Sequence, residues 1–159
     1  MWPRVSLTTL REMARITATL AITISFVLLP GAAGASAANH GEPVLGKKNL
    51  LRYGIGWGTA HPRLIFNGGD PSGRAWNLRW SGWGSGVALA RGLTWINSPQ
   101  GGYFNQPGAI ELRAYRPGRC SPNGLPAYTR LQVRSALRPG GPLSRWFAWG
   151  GWQSICRSP

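Results

Sequence analysis

Residues 76–95 read WNLRWSGWGSGVALARGLTW and place four tryptophans, two arginines, four glycines and no acidic residue in twenty positions. The stretch divides into two alternating runs around a glycine-rich break. In residues 75–80, Trp76, Leu78 and Trp80 share one face and Asn77 and Arg79 the other, the period of two that a half-buried strand requires. Gly82, Gly84 and Gly86 surround Trp83 and suit a tight bend or bulge between strands better than any helix. Alternation resumes over residues 87–96, with Val87, Leu89, Arg91, Leu93 and Trp95 on one face and Ala88, Ala90, Gly92, Thr94 and Ile96 on the other. This pattern assigns Trp76 and Trp80 to the interior and leaves Trp83 at a bend that can expose its ring.

The same periodicity extends in both directions along the chain. Residues 63–67 form a strand-like run closed by Gly68-Gly69-Asp70-Pro71, a group of turn formers. Residues 109–115 point Ile110, Leu112 and Ala114 inward and Glu111, Arg113 and Tyr115 outward, ending at Pro117-Gly118. Residues 128–135 repeat the scheme, with Leu131 and Val133 inward and Arg130, Gln132 and Arg134 outward. After Pro139-Gly140-Gly141-Pro142, a last run over residues 145–156 carries Trp146, Phe147, Trp149 and Trp152. The expectation is an all-β domain, a single small sandwich or barrel of six to seven short antiparallel strands.

The N-terminus reads as an export signal. Arg4, Arg11 and Arg15 precede an uncharged apolar run over residues 16–29, and Ala35 and Ala37 fit an A-x-A cleavage site. A membrane-spanning anchor needs about 20 apolar residues, more than this run supplies. Residues 1–37 are therefore expected as a signal-peptide helix, residues 38–50 as a flexible leader, and residues 51–159 as the β-rich domain. Met13 offers a second possible start. The destination is outside the cytoplasmic membrane, secreted or associated with the cell envelope.

Cleavage leaves 15 basic and 3 acidic residues, a formal charge of +12 against +14 for the full chain. So basic a domain attracts polyanions: acidic cell-wall polymers, anionic membrane surfaces or nucleic acid. Sixteen of the 18 basic residues are arginine, which codon bias in a GC-rich genome also produces. In an exported chain Cys120 and Cys156 pair as a disulfide. Closing that loop removes about 3 to 4 kcal/mol of denatured-state entropy.

Residues 78–92, LRWSGWGSGVALARG, followed by the strand at 109–115, Cys120 and Tyr128-Thr129-Arg130, resemble a group of small secreted actinobacterial proteins of unknown function. Those proteins carry an L-x-W-x-x-W-G motif and a Cys-centred segment. The resemblance spans about residues 63–130 and implies export and a β-rich fold. The Trp-rich end, Trp146 to Trp152, departs from it.

Catalytic constellations are sparse. Glu42, Asp70 and Glu111 are the carboxylates left after cleavage; Asp70 sits in a turn, where such a side chain caps backbone amides, and Glu111 lies outward on a strand. His40 and His61 with the paired cysteines do not make metal-ligand spacing. Gly54-Ile55-Gly56-Trp57-Gly58 lacks the Lys-Ser/Thr of a phosphate loop, and no G-x-S-x-G elbow occurs. No cofactor, metal, nucleotide or enzymatic activity is expected.

Binding is the favoured class, because a ring beside an arginine stacks on sugars or bases and pairs with phosphate or carboxylate. The candidate residues are Arg79, Trp83, Arg91, Arg113, Tyr115 and Trp149. Three readings stand open: a cationic domain that binds an anionic envelope or extracellular polymer, an antimicrobial or interaction protein acting at anionic membranes, and a structural domain with no ligand.

Overall fold

The computed structural model describes residues 41–157; the signal-peptide helix and its cleavage site lie outside the described residues. The domain is all-β, one curled seven-stranded sheet that forms a half-barrel. In chain order the strands are β1 (Val44–Leu45), β2 (Leu64–Phe66), β3 (Arg74–Ser81), β4 (Val87–Thr94), β5 (Gly108–Arg119), β6 (Pro126–Ser135) and β7 (Phe147–Ala148). Their order across the sheet is β1-β6-β5-β4-β3-β2, with β7 also paired to β6. All pairings are antiparallel except β1 with β6, which is parallel.

Three departures from the alternation have local causes. Asn77 takes a positive φ of 54°, and the β3–β4 register shifts between Trp76 and Arg79. This bulge turns Ala75 and Leu78 to the same buried side and sends Trp76 to the opposite face, so Trp80 alone keeps company with Leu78. Strand β5 continues past Pro117-Gly118, pairing Pro117 with Tyr128, while Arg116 bends the backbone with a φ of 55°. In the C-terminal run only Phe147–Ala148 is strand; Gly150 and Gly151, both with positive φ, wind the chain into a 3-10 turn at Trp149–Gly151.

The expected leader is partly built into the fold. Val44 and Leu45 pair with Ala127 and Tyr128, Leu45 and Leu50 are buried, and Pro43 O accepts a hydrogen bond from Trp83 Nε1 at 2.9 Å. A two-residue strand is too short to leave a periodic signature in sequence.

The concave face of the sheet is lined by small and medium side chains, among them Ala75, Ala88, Ala90, Ala114, Leu112 and Val133. Bulky rings supplied largely by the connecting segments fill the space above them. Trp57 and Trp149 are buried, with ring centroids 6.3 Å apart, and Trp152 packs 6.0 Å from Trp57. Trp80, Trp83 and Tyr128 make a second group at 4.7 and 5.1 Å. Small alanines on the strands leave room for the tryptophan rings above them, which supply apolar bulk where long aliphatics are few.

Two ties close the structure. Tyr128 Oη accepts from Gly84 N at 2.9 Å and donates to Ser85 O at 2.8 Å, fixing the glycine-rich β3–β4 bend to the core. Cys120 and Cys156 are disulfide-bonded, with Cα atoms 4.9 Å apart, and hold the C-terminal segment beside the end of β5.

Candidate functional site

Antiparallel register brings outward residues from four strands into rows. Arg79 on β3 faces Arg91 on β4, Arg91 faces Glu111 on β5, and Glu111 faces Arg134 on β6. The next row runs Leu89, Arg113 and Gln132; the third runs Val87, Tyr115 and Arg130. Strands lie about 4.8 Å apart, so one row crosses roughly 15 Å of surface.

Glu111 organises the first row. Its Oε1 accepts from Arg91 Nε at 3.1 Å and its Oε2 from Arg134 Nε at 2.8 Å and Nη2 at 2.5 Å. The Glu111 side chain is 17% exposed, whereas Arg91 is 86% exposed and Arg134 35%. A covered carboxylate thus holds two guanidinium groups that still present to solvent. Arg113 is fixed separately: its Nε donates to Gln132 Oε1 at 3.0 Å and its Nη2 to the same oxygen.

Aromatic rings interleave with these cations. Trp146, just ahead of β7, lies against two of them, its ring centroid 5.1 Å from Arg113 and 4.8 Å from Arg134. Tyr115 lies 5.7 Å from Arg113. The bulge at Asn77 adds Trp76, which packs 5.7 Å from Trp95 and 5.6 Å from Arg74. Six arginines (74, 79, 91, 113, 130 and 134) therefore share a sheet face with one carboxylate, Glu111. Guanidinium groups braced by a carboxylate, an amide or a ring lose little further freedom on meeting a phosphate or carboxylate.

Of the residues singled out from sequence, Arg79, Arg91, Arg113 and Tyr115 come together here. Trp83 and Trp149 do not. Trp83 is half-buried on the concave side, 4.6 Å from the His61 ring, and Trp149 is 4% exposed, its Nε1 donating to Asn67 Oδ1 at 2.9 Å. Strand alternation had already pointed Glu111, Arg130, Gln132 and Arg134 outward; the register that joins them, and the reach of Trp146 across two strands, had no sequence signal.

The other carboxylates are engaged elsewhere. Glu42 Oε1 lies 3.0 Å from His61 Nδ1. Asp70 Oδ1 accepts from Ser72 Oγ at 2.5 Å, from Ser72 N at 2.8 Å and from Tyr103 Oη. The Ser72 hydroxyl foremost, then Tyr103, holds the Asp70 carboxyl below its ordinary value, and the same contact raises the Tyr103 phenol. Among the described residues no three His, Cys, Asp or Glu side chains gather as a metal site.

No protein-family model, curated protein or solved structure matches this chain.

Proposed function

We propose that the chain is an exported, non-catalytic module that binds an extended anionic polymer of the cell envelope or extracellular space along the outer face of its sheet. The observation that carries this reading is the in-register row Arg79, Arg91, Glu111 and Arg134, with Arg113 and Trp146 beside it. An extended polymer crossing the strands meets cations at close intervals and rings between them, which suits a repeating phosphate or carboxylate better than a single small ligand. Export is supported by the basic, apolar and A-x-A pattern of residues 1–37 and by the use of both cysteines in a disulfide.

Sedimentation with isolated cell wall tests the reading. Wild-type protein is expected to co-sediment at low salt and to dissociate as salt rises. An Arg79→Ala/Arg91→Ala/Arg113→Ala variant is expected to lose roughly tenfold or more in affinity, since each rim charge contributes modestly. Equal binding by that variant would sink the proposal.

A second reading, action at anionic bilayers, is favoured by Val87 and Leu89, each 46% exposed beside Tyr115 and Arg113. Dye release from phosphatidylglycerol vesicles at micromolar protein separates the two: the polymer reading predicts none.

A further inference from the structure

The far ends of β5 and β6 carry a second concave feature, a cleft of about 600 Å³ bounded by Arg119, Arg130, Arg157, Trp152, Gln153 and Ser154. Its walls come from three separated parts of the chain. Arg119 ends β5, Arg130 lies on β6, and Arg157 follows Cys156 in the C-terminal segment. The disulfide between Cys120 and Cys156 brings the residues next to each cysteine, Arg119 and Arg157, to one rim. Ile155 N donates to Thr129 O at 3.0 Å and Ser154 Oγ to the same oxygen at 3.3 Å, which seats the segment against β6.

Among the described residues no carboxylate lines the cleft. Arg119 donates through Nη1 to Gly124 O, while the guanidinium groups of Arg130 and Arg157 have no hydrogen-bond or ion-pair partner among the described residues. Three arginines lining one hollow repel one another, and an anion seated among them relieves that repulsion. The Trp152 ring, half-buried against the core, supplies a flat apolar wall.

We propose that this cleft is a phosphate-binding subsite and that the Cys120–Cys156 disulfide assembles it. Arg130 is the cross-strand partner of Tyr115 and also lines the cleft, so the subsite continues the outer face and rests on the polymer-binding reading for its biological ligand. A phosphate group is held by Arg119, Arg130 and Arg157, and reduction of the disulfide frees Arg157 and opens the site.

Titration of the oxidised chain with inorganic pyrophosphate and with long-chain polyphosphate provides the test, the first standing for a free phosphate and the second for a polymer-linked one. An Arg119→Ala/Arg157→Ala variant, which keeps the disulfide, is expected to lose at least tenfold in affinity for one or both probes; unchanged affinity for both overturns the subsite. Arg79→Ala/Arg91→Ala is expected to weaken polyphosphate binding more than pyrophosphate binding. If polyphosphate binding does not respond to that pair while the cleft variant loses pyrophosphate, the face reading fails and the subsite stands. Dithiothreitol is expected to weaken pyrophosphate binding as strongly as the cleft variant does; full binding by reduced protein whose cysteines are alkylated overturns the role of the disulfide.

Discussion

The two faces of the sheet use tryptophan for opposite ends. On the concave face, four indole N–H groups are satisfied by the protein: Trp57 donates to Phe66 O, Trp80 to Pro62 O, Trp83 to Pro43 O and Trp149 to Asn67 Oδ1. On the outer face, the indole N–H groups of Trp76, Trp95 and Trp146 have no partner among the described residues, and the rings instead meet one another or arginine. A buried donor must be satisfied inside the fold, whereas an exposed one stays available to water or a ligand. Composition alone merges these two populations; the indole hydrogen bonds separate these seven rings, while Trp152, half-buried against Trp57, has no indole partner among the described residues.

Truncation is the sharpest way to break that contrast. Trp149→Ala is expected to cost roughly 3 to 5 kcal/mol in urea denaturation, the range for deleting a large buried aromatic. Trp146→Ala is expected to change stability by less than about 1 kcal/mol, as befits a half-exposed position, while weakening polyanion binding. Similar stability losses in the two variants would erase the distinction. Next in size is the disulfide: a Cys120→Ser/Cys156→Ser variant is expected to lose about 3 to 4 kcal/mol, read from the same denaturation curves.

A smaller effect tests the tie between the core and the glycine-rich bend. Tyr128→Phe removes the hydroxyl that bridges Gly84 N and Ser85 O, at an expected cost of about 1 to 2 kcal/mol. Burial also pushes the Tyr128 phenol above its ordinary value, so above about pH 10 the unfolded chain gives up this proton more readily than the folded one. Its contribution to stability is therefore complete below that pH and lost as pH rises through the folded value. Thermal melts across alkaline pH are expected to fall more steeply for wild type than for Tyr128→Phe.

Asp70 gives the smallest expected effect and the opposite sign. Its carboxyl is lowered by Ser72 and Tyr103, so its contribution is present above the unfolded value near pH 4 and disappears as pH falls through the folded one. Melts of Asp70→Asn are expected to show a shallower acid-side loss than wild type, the stability of the two converging at low pH.

What sequence revealed depended on how local the cause was. Residues 87–96 and 109–115 declared their two faces because alternation is a property of neighbours, and Glu111, Arg113 and Tyr115 lie outward as that pattern required. Trp76 escaped because Asn77, read as an ordinary alternating residue, instead bulges the strand and reverses the side on which its neighbour emerges. Position β1 hid in a polar segment, since two residues have no period. The row Arg79, Arg91, Glu111 and Arg134 depends on three independent registers, and Trp146 on a contact with two strands; neither is encoded within any short window of the chain.

The outer face as a polyanion track is most directly tested by the salt dependence of polyphosphate binding in wild type and in Arg79→Ala/Arg91→Ala. Each lost contact removes about 0.7 to 0.9 from the slope of log affinity against log salt, by analogy with nucleic-acid polyanions, so the double variant is expected to show a slope shallower by roughly 1.4 to 1.8. An unchanged slope with unchanged affinity would contradict the assignment of this face.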